Sequence, residues 1–133
     1  MSATSSEFKN GRGLRRLVNA VGYSWAGLRH ALRHETAIRQ ELLSLVVLVP
    51  IAALLPVPAL ERLLLVLSMM LVLLTEFLNS AIEATIDRIS LERHPLSGQA
   101  KDMGSAAVGV ALLMSAACWF VIAGPVAARW LGL

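Results

Sequence analysis

Cysteine is almost absent from this chain of 133 residues: Cys118 stands alone, inside a long apolar run. An intrachain disulfide is therefore excluded, and with three scattered histidines (His30, His34, His94) a zinc site of the usual Cys/His kind is excluded too. Charge is also scarce, at 16% of residues against about a quarter in a soluble domain. No stretch has the GxxxxGK[ST] spacing of a phosphate-binding loop, and there is no HRD or DFG triplet, so neither common phosphoryl-transfer fold is encoded. A secretory leader is not indicated, because the first apolar run begins near Leu42 and is too long for one.

What the chain has is apolar length. Hydrophobic residues make up 56%, and they concentrate in three runs. Each run approaches the ~20 residues that cross ~30 Å of hydrocarbon. The class is an all-α membrane protein. The expected organisation is a mobile tail over 1–13, an amphipathic surface helix over 14–34, and a first span over 38–58, kinked at Pro50 and ended by Pro56 and Pro58. A second span follows over 60–86, a cytoplasmic loop over 87–99 with Ser97 as the N-cap of the next helix, and a third span over 100–123 that ends or bends at Gly124-Pro125. The surface helix rests on Leu14, Leu17, Val18, Val21, Trp25, Leu28 and Leu32, which recur at i, i+3, i+4 spacing with arginines mostly elsewhere on the wheel.

Seven of the twelve basic residues precede the first apolar run and three more lie between the second and third. Short cytoplasmic segments collect such residues, which puts the N-terminus inside and the C-terminus outside. The net charge of +3 is thereby assigned to the membrane surface and not to nucleic acid. Trp25, Trp119 and Trp130 are expected as interface anchors. In the third span Ala107, Ala111 and Ser115 are spaced by four, as are Ser105 and Gly109. Such spacing lets helix backbones approach closely in lipid. Three spans make a thin bundle, so further copies of the chain are expected as partners.

The second span ends unusually. Glu76, Asn79, Glu83 and Asp87 follow one another at steps of 3, 4 and 4, with no helix breaker between them. At about 100° per residue all four share one stripe. A carboxylate at membrane depth costs roughly 2.5–3.5 kcal/mol, so a stripe of them implies a function. The bland alternative is pairing with Arg29, Arg33, Arg39 or Arg88 to fix helix register. Glu35 and Glu41 flank the start of the first span, and Lys101 and Asp102 lie early in the third helix, all at the same inner surface. Carboxylates beside a lysine suit Mg²⁺ and nucleotide phosphates. A partly desolvated glutamate suits proton abstraction from an alcohol, and Glu76 is the deepest of the stripe.

The segments VGYSWAGLR, ETAIRQE, EFLNSAIEATIDRI and ERHPLSGQAKDMGSAAV resemble, in order and spacing, the prokaryotic integral-membrane diacylglycerol kinase family, over about Arg16 to Val121. The wording SGQAKDMGSAA is closer to its diacylglycerol branch than to the branch that phosphorylates undecaprenol, while RHALRHE and the chain after Ala123 are less typical. The resemblance implies a homotrimer in the bacterial inner membrane that moves the γ-phosphoryl group of MgATP to diacylglycerol. It implies Glu76 as the general base and Glu35 and Glu83 as Mg²⁺ ligands. Nucleotide contacts fall on Arg16, Tyr23, Glu35, Glu83, Glu92, Arg93, His94, Lys101 and Asp102. Lipid-substrate contacts fall on Arg16, on Ala20, Val21, Gly22, Tyr23, Ser24 and Trp25, and on Arg29, His30, Ala31 and Leu32. Further lipid contacts fall on Ala37, Ile38, Arg39, Gln40 and Glu41, and on Glu76 and Ser105, with Asn79 and Asp87 in support. Two other functions fit a chain of this size. A small proton-coupled exporter would need its carboxylate near mid-span, whereas these acids cluster at one end. A purely structural subunit would tolerate loss of the whole stripe.

Overall fold

The structure, a computed structural model, describes the backbone of residues 5–132 and the side chains of residues 13–132. Among the described residues the chain forms four α-helices: α1 Ser5–His34, α2 Thr36–Leu54, α3 Ala59–Ile89 and α4 Pro95–Leu131. It divides into two compact units, Met1–Glu35 and Thr36–Leu133.

The first unit holds α1. Its helix starts at Ser5, ahead of the 14–34 span read from the sequence, and no proline interrupts the chain before its end at His34. The mobility expected of residues 1–4 lies outside the described residues. Leu14, Leu17, Val18 and Val21 are all exposed, as is Trp25.

In the second unit α2, α3 and α4 are each long and apolar enough to cross a membrane. The boundaries differ from the expected ones in instructive ways. α3 runs on to Ile89 and α4 begins at Pro95, so the connection shrinks to residues 90–94. The N-cap of α4 is His94 and not Ser97: His94 Nδ1 accepts from the backbone N–H of Leu96 at 3.2 Å, and Pro95 takes the first helical position. Proline is preorganised there and its missing N–H costs nothing. α4 also passes straight through Pro125 and ends in the left-handed region at Gly132, φ 73°, where a side chain would be strained.

α3 packs against both α2 and α4. One end of the three-helix unit is held by a small apolar core of Ala52, Leu55, Leu65 and Val126, with Val57, Val66, Trp119, Ile122 and Ala123 packed on it. Trp119 thus belongs partly to the core, unlike Trp130, which is 70% exposed. Arg62 closes the α2–α3 turn. Its guanidinium donates to the carbonyls of Ala52 and Leu55, both at 3.2 Å, and of Val57 at 3.4 Å. Ala52 lies in the last turn of α2 and Leu55 and Val57 just beyond it, so one cation serves carbonyls at the helix terminus that backbone donors do not fully satisfy. Midway along, Ser68 and Ser115 meet at 3.3 Å across α3 and α4, and Ala111 is buried one turn away. Part of the small-residue spacing of α4 therefore serves packing within the chain. Most of the large apolar side chains of the spans face outward, among them Val46, Leu74, Leu78, Leu113, Phe120 and Val121.

Candidate functional site at the α3–α4 end

Toward the end of α3 the first three groups of the polar stripe turn partly inward while neighbouring apolar side chains face outward. Glu76, Asn79 and Glu83 are half-buried, whereas Leu74, Leu78 and Ile82 between them are exposed. This inversion is expected when the solvent is hydrocarbon, because polar groups seek protein contacts there.

Asn79 is the pivot of the stripe. Its Nδ2 donates to Glu83 Oε1 at 3.3 Å, and its Oδ1 is buried without a hydrogen-bond partner. That oxygen lies against Gly104 of α4: a methyl group there would overlap Oδ1 and stand 3.3 Å from Cγ. Gly104 is itself buried, so the absence of a side chain is what allows the amide to sit between the helices and aim at Glu83. Gly104→Ala is expected to cost about 1–3 kcal/mol of stability as an overpacked contact. Combined with Asn79→Ser it is expected to cost less than the sum of the two single changes, since the clash is then removed. Reversible unfolding of the four proteins in mixed micelles measures this, and strict additivity would show that the two residues do not meet.

One turn beyond Glu83, Lys101 Nζ of α4 donates to Asp87 Oδ1 at 2.7 Å, with the two side chains 38% and 50% exposed. Glu83 adds its field to the same ammonium group. Asp87 of the stripe thus pairs with Lys101. Arg39, considered for that part, donates instead to Thr36 Oγ1 at 2.9 Å. Glu41 of α2 is close enough to Glu76 for the two carboxylates to interact electrostatically.

Two cavities flank this line of groups. The first, about 480 Å³, is lined by Asp87, Glu92, Arg93, His94 and Lys101 together with Ser90, Ser97 and Gly98. It gathers four of the expected nucleotide contacts. Asp102 is exposed on α4 and does not line it. Ser90 and Gly98 were not singled out from the sequence, and Ser97 was expected only as a helix cap. Ser90 shapes the turn, because its Oγ accepts from the backbone N–H of Glu92 at 3.0 Å. The second cavity, about 460 Å³ and nearly all apolar, lies one to two turns deeper, between Thr75, Leu78, Asn79 and Ile82 of α3 and Ala100, Met103, Gly104 and Ala107 of α4. Ser105 is exposed beside it.

The remaining expected residues fall as follows. Arg16, Ala20, Val21, Gly22, Tyr23, Ser24, Trp25, Arg29, His30 and Leu32 are exposed on α1, and Ala31 is buried. Glu35 closes the first unit and is half-buried. At the start of α2, Arg39 and Gln40 are exposed, Ala37 and Glu41 are half-buried, and Ile38 is wholly buried. Among the described residues no three His, Cys, Asp or Glu side chains gather as a metal cage. A cage is not what Mg²⁺ with a nucleotide requires: one or two carboxylates suffice when phosphates and water supply the other oxygens. Glu83, with one oxygen already fixed by Asn79, fits that demand.

Fold and site together define a small polytopic membrane protein with a mixed acidic and basic mouth at one end of its helices, suited to phosphate. Comparison with known proteins places it more closely. The model of the family described as prokaryotic diacylglycerol kinase matches residues 22–123. A diacylglycerol kinase of Pseudomonas aeruginosa is 56% identical over 88% of this chain and 95% of its own length. The corresponding protein of Escherichia coli K12 is 50% identical over 85% and 93%, and that of Haemophilus influenzae 44% identical over 80% and 91%. This chain belongs to the prokaryotic diacylglycerol kinase family.

Proposed function

We propose that the chain transfers the γ-phosphoryl group of ATP to the primary hydroxyl of diacylglycerol, yielding phosphatidate and ADP. The observation that carries the proposal is the continuous line on α3 and α4 from Glu76 through the Asn79–Glu83 pair to the Asp87–Lys101 ion pair. In this reading Glu76 is a membrane-depth carboxylate at one end of the line, and the other end is a mouth compatible with phosphate. The family relationship gives the acceptor class.

The chain's own groups divide the work. Glu76 accepts the hydroxyl proton as the acceptor oxygen bonds to phosphorus and the bond to the ADP oxygen breaks, the electron pair leaving with ADP. Lys101, held ready by Asp87, exchanges that carboxylate for a phosphate oxygen. Arg93 and His94 line the same cavity and offer further donors, and Arg16, Tyr23, Glu92 and Asp102 complete the proposed nucleotide contacts. Glu83 and Glu35 would hold Mg²⁺, which when bound supplies charge neutralisation at the phosphates. Asn79 keeps Glu83 in place.

α1 lies in the inner membrane interface on its apolar face and, with residues 37–41, Glu76 and Ser105, receives the lipid. The N-terminus is cytoplasmic and the C-terminus is outside the bacterial inner membrane. With so much apolar surface of the spans unpartnered within one chain, the working form in this reading is a homotrimer whose sites lie between subunits. Purified protein with MgATP and a panel of dioleoylglycerol and undecaprenol is the direct test. Phosphatidate is expected as the main product. Faster phosphorylation of undecaprenol would reassign the acceptor, and no transfer to either would remove the kinase reading.

A further inference from the structure

The connection between α3 and α4, residues 90–94, is held by two side-chain acceptors. Ser90 Oγ accepts from the N–H of Glu92 at 3.0 Å, and His94 Nδ1 accepts from that of Leu96 at 3.2 Å. An Nδ1 that accepts carries no proton, so His94 is a neutral imidazole with its hydrogen on Nε2. The His94 carbonyl also opens the ladder of α4, accepting from the N–H of Gly98 at 3.0 Å.

Little else secures this end of α4. Its first turn holds no acidic residue to complement the helix dipole. Gly98 belongs to the same turn and is among the weakest helix formers. Pro95 presets one φ angle but brings no N–H. The N–H groups of Leu96 and Ser97 have no carbonyl within the helix, and the imidazole takes the first of them.

The same turn leads to the cation of the mouth. Lys101 lies six residues after Pro95, about 9 Å along the axis. His94 and Lys101 line one cavity. The Lys101 ammonium has a second anchor, Asp87, at 2.7 Å. In the proposed transfer phosphate takes that carboxylate's place. From then on only the backbone of α4 sets where the ammonium stands, and the free end of that backbone is the one His94 caps.

We propose that His94 is a positioning residue for phosphoryl transfer: by capping α4 through Nδ1 it keeps the first turn wound and Lys101 at the mouth. This role is separate from any contact between its Nε2–H and the nucleotide. It rests on the kinase reading and acts through Lys101.

Three variants separate cap from contact. His94→Ala, His94→Ser and His94→Asn all lack the ring and its N–H, but Ser and Asn cap helices and Ala does not. Amide hydrogen exchange of the full-length protein in neutral detergent, without ATP or lipid acceptor, reads the cap at Gly98. Exchange there is expected to be about fivefold faster in the Ala variant than in the Asn variant, the size of a typical lost cap, with Leu112 and Leu113 in mid-helix unchanged. At saturating dioleoylglycerol, kcat/KM for ATP is expected to be about two- to fivefold lower in the Ala variant than in the other two, with KM for dioleoylglycerol alike in all three. In a Lys101→Met background that difference should vanish, which a general loss of stability would not produce. Equal Gly98 exchange in the Ala and Asn variants would overturn the proposal. So would equal kcat/KM across the three, which would leave His94 as a nucleotide contact only, or a difference that persists undiminished without the Lys101 ammonium. A wild type with no turnover on any lipid acceptor would remove the kinase reading itself, and this proposal with it.

Discussion

Glu76→Gln is expected to lower kcat by about 10²–10⁴-fold while leaving nucleotide affinity close to that of the wild type. The substitution keeps the size and hydrogen-bonding shape of the side chain and removes its ability to take a proton. A lipid primary alcohol has a very high pKa, so its oxygen becomes a competent nucleophile only if the proton leaves as the bond to phosphorus forms. Glu76 is half-buried on α3, and a second carboxylate, Glu41 on α2, is near enough to interact with it. A steady-state assay with saturating MgATP and dioleoylglycerol measures kcat, and equilibrium binding of a fluorescent ATP analogue measures affinity. A variant that keeps wild-type turnover would remove Glu76 from the chemistry. One that loses nucleotide binding in parallel would make it a structural or binding group instead.

Lys101→Met has the second-largest expected effect, a loss of roughly 10²–10³-fold in kcat/KM for ATP, the range seen when one preorganised donor to a charged transition state is removed. The methionine preserves the length of the stem and deletes the ammonium that Asp87 holds at 2.7 Å. Lys101→Arg should recover part of the loss, because a guanidinium also neutralises phosphate, though with a planar fork in place of a point charge. Asp87→Asn should be much milder, around tenfold or less, since it releases the lysine without removing it. If Lys101→Met stays within threefold of the wild type, the mouth formed by residues 87–101 is not where phosphate binds.

Much of this arrangement can be read along the chain. The steps of 3, 4 and 4 from Glu76 to Asp87 can only place those groups on one face of a helix, and α3 does so without interruption. The three spans follow from apolar length alone. The start of α4 was legible in principle, because His94-Pro95 carries a cap and a first-turn proline, but Ser97 offered a stronger conventional cap and drew attention. Contacts between helices were beyond reach. Nothing in the sequence says that Gly104 exists to clear Asn79, since a glycine among Ser105, Ala106 and Ala107 reads as one more small residue. Nor does spacing connect Lys101 with Asp87, or Arg62 with the carbonyls of Ala52, Leu55 and Val57, because each pairing depends on how a turn folds back. Trp119 looked like an interface anchor by its type and position, yet it packs on the core that α4 shares with α2 and α3. The family resemblance supplied roles for residues on α1 that periodicity could only describe as apolar or basic.

The central claim is that Glu83, steadied by Asn79, and Lys101, steadied by Asp87, grip a metal-bound triphosphate at the inner end of α3 and α4. Electron paramagnetic resonance titration of Mn²⁺ into the purified protein, with and without ATP, tests it most directly. The account predicts tight Mn²⁺ binding only when ATP is present, weakened at least about tenfold by Glu83→Gln and by Lys101→Met, and unaffected by Glu76→Gln. Mn²⁺–ATP affinity that is the same in the wild type and Glu83→Gln would contradict it.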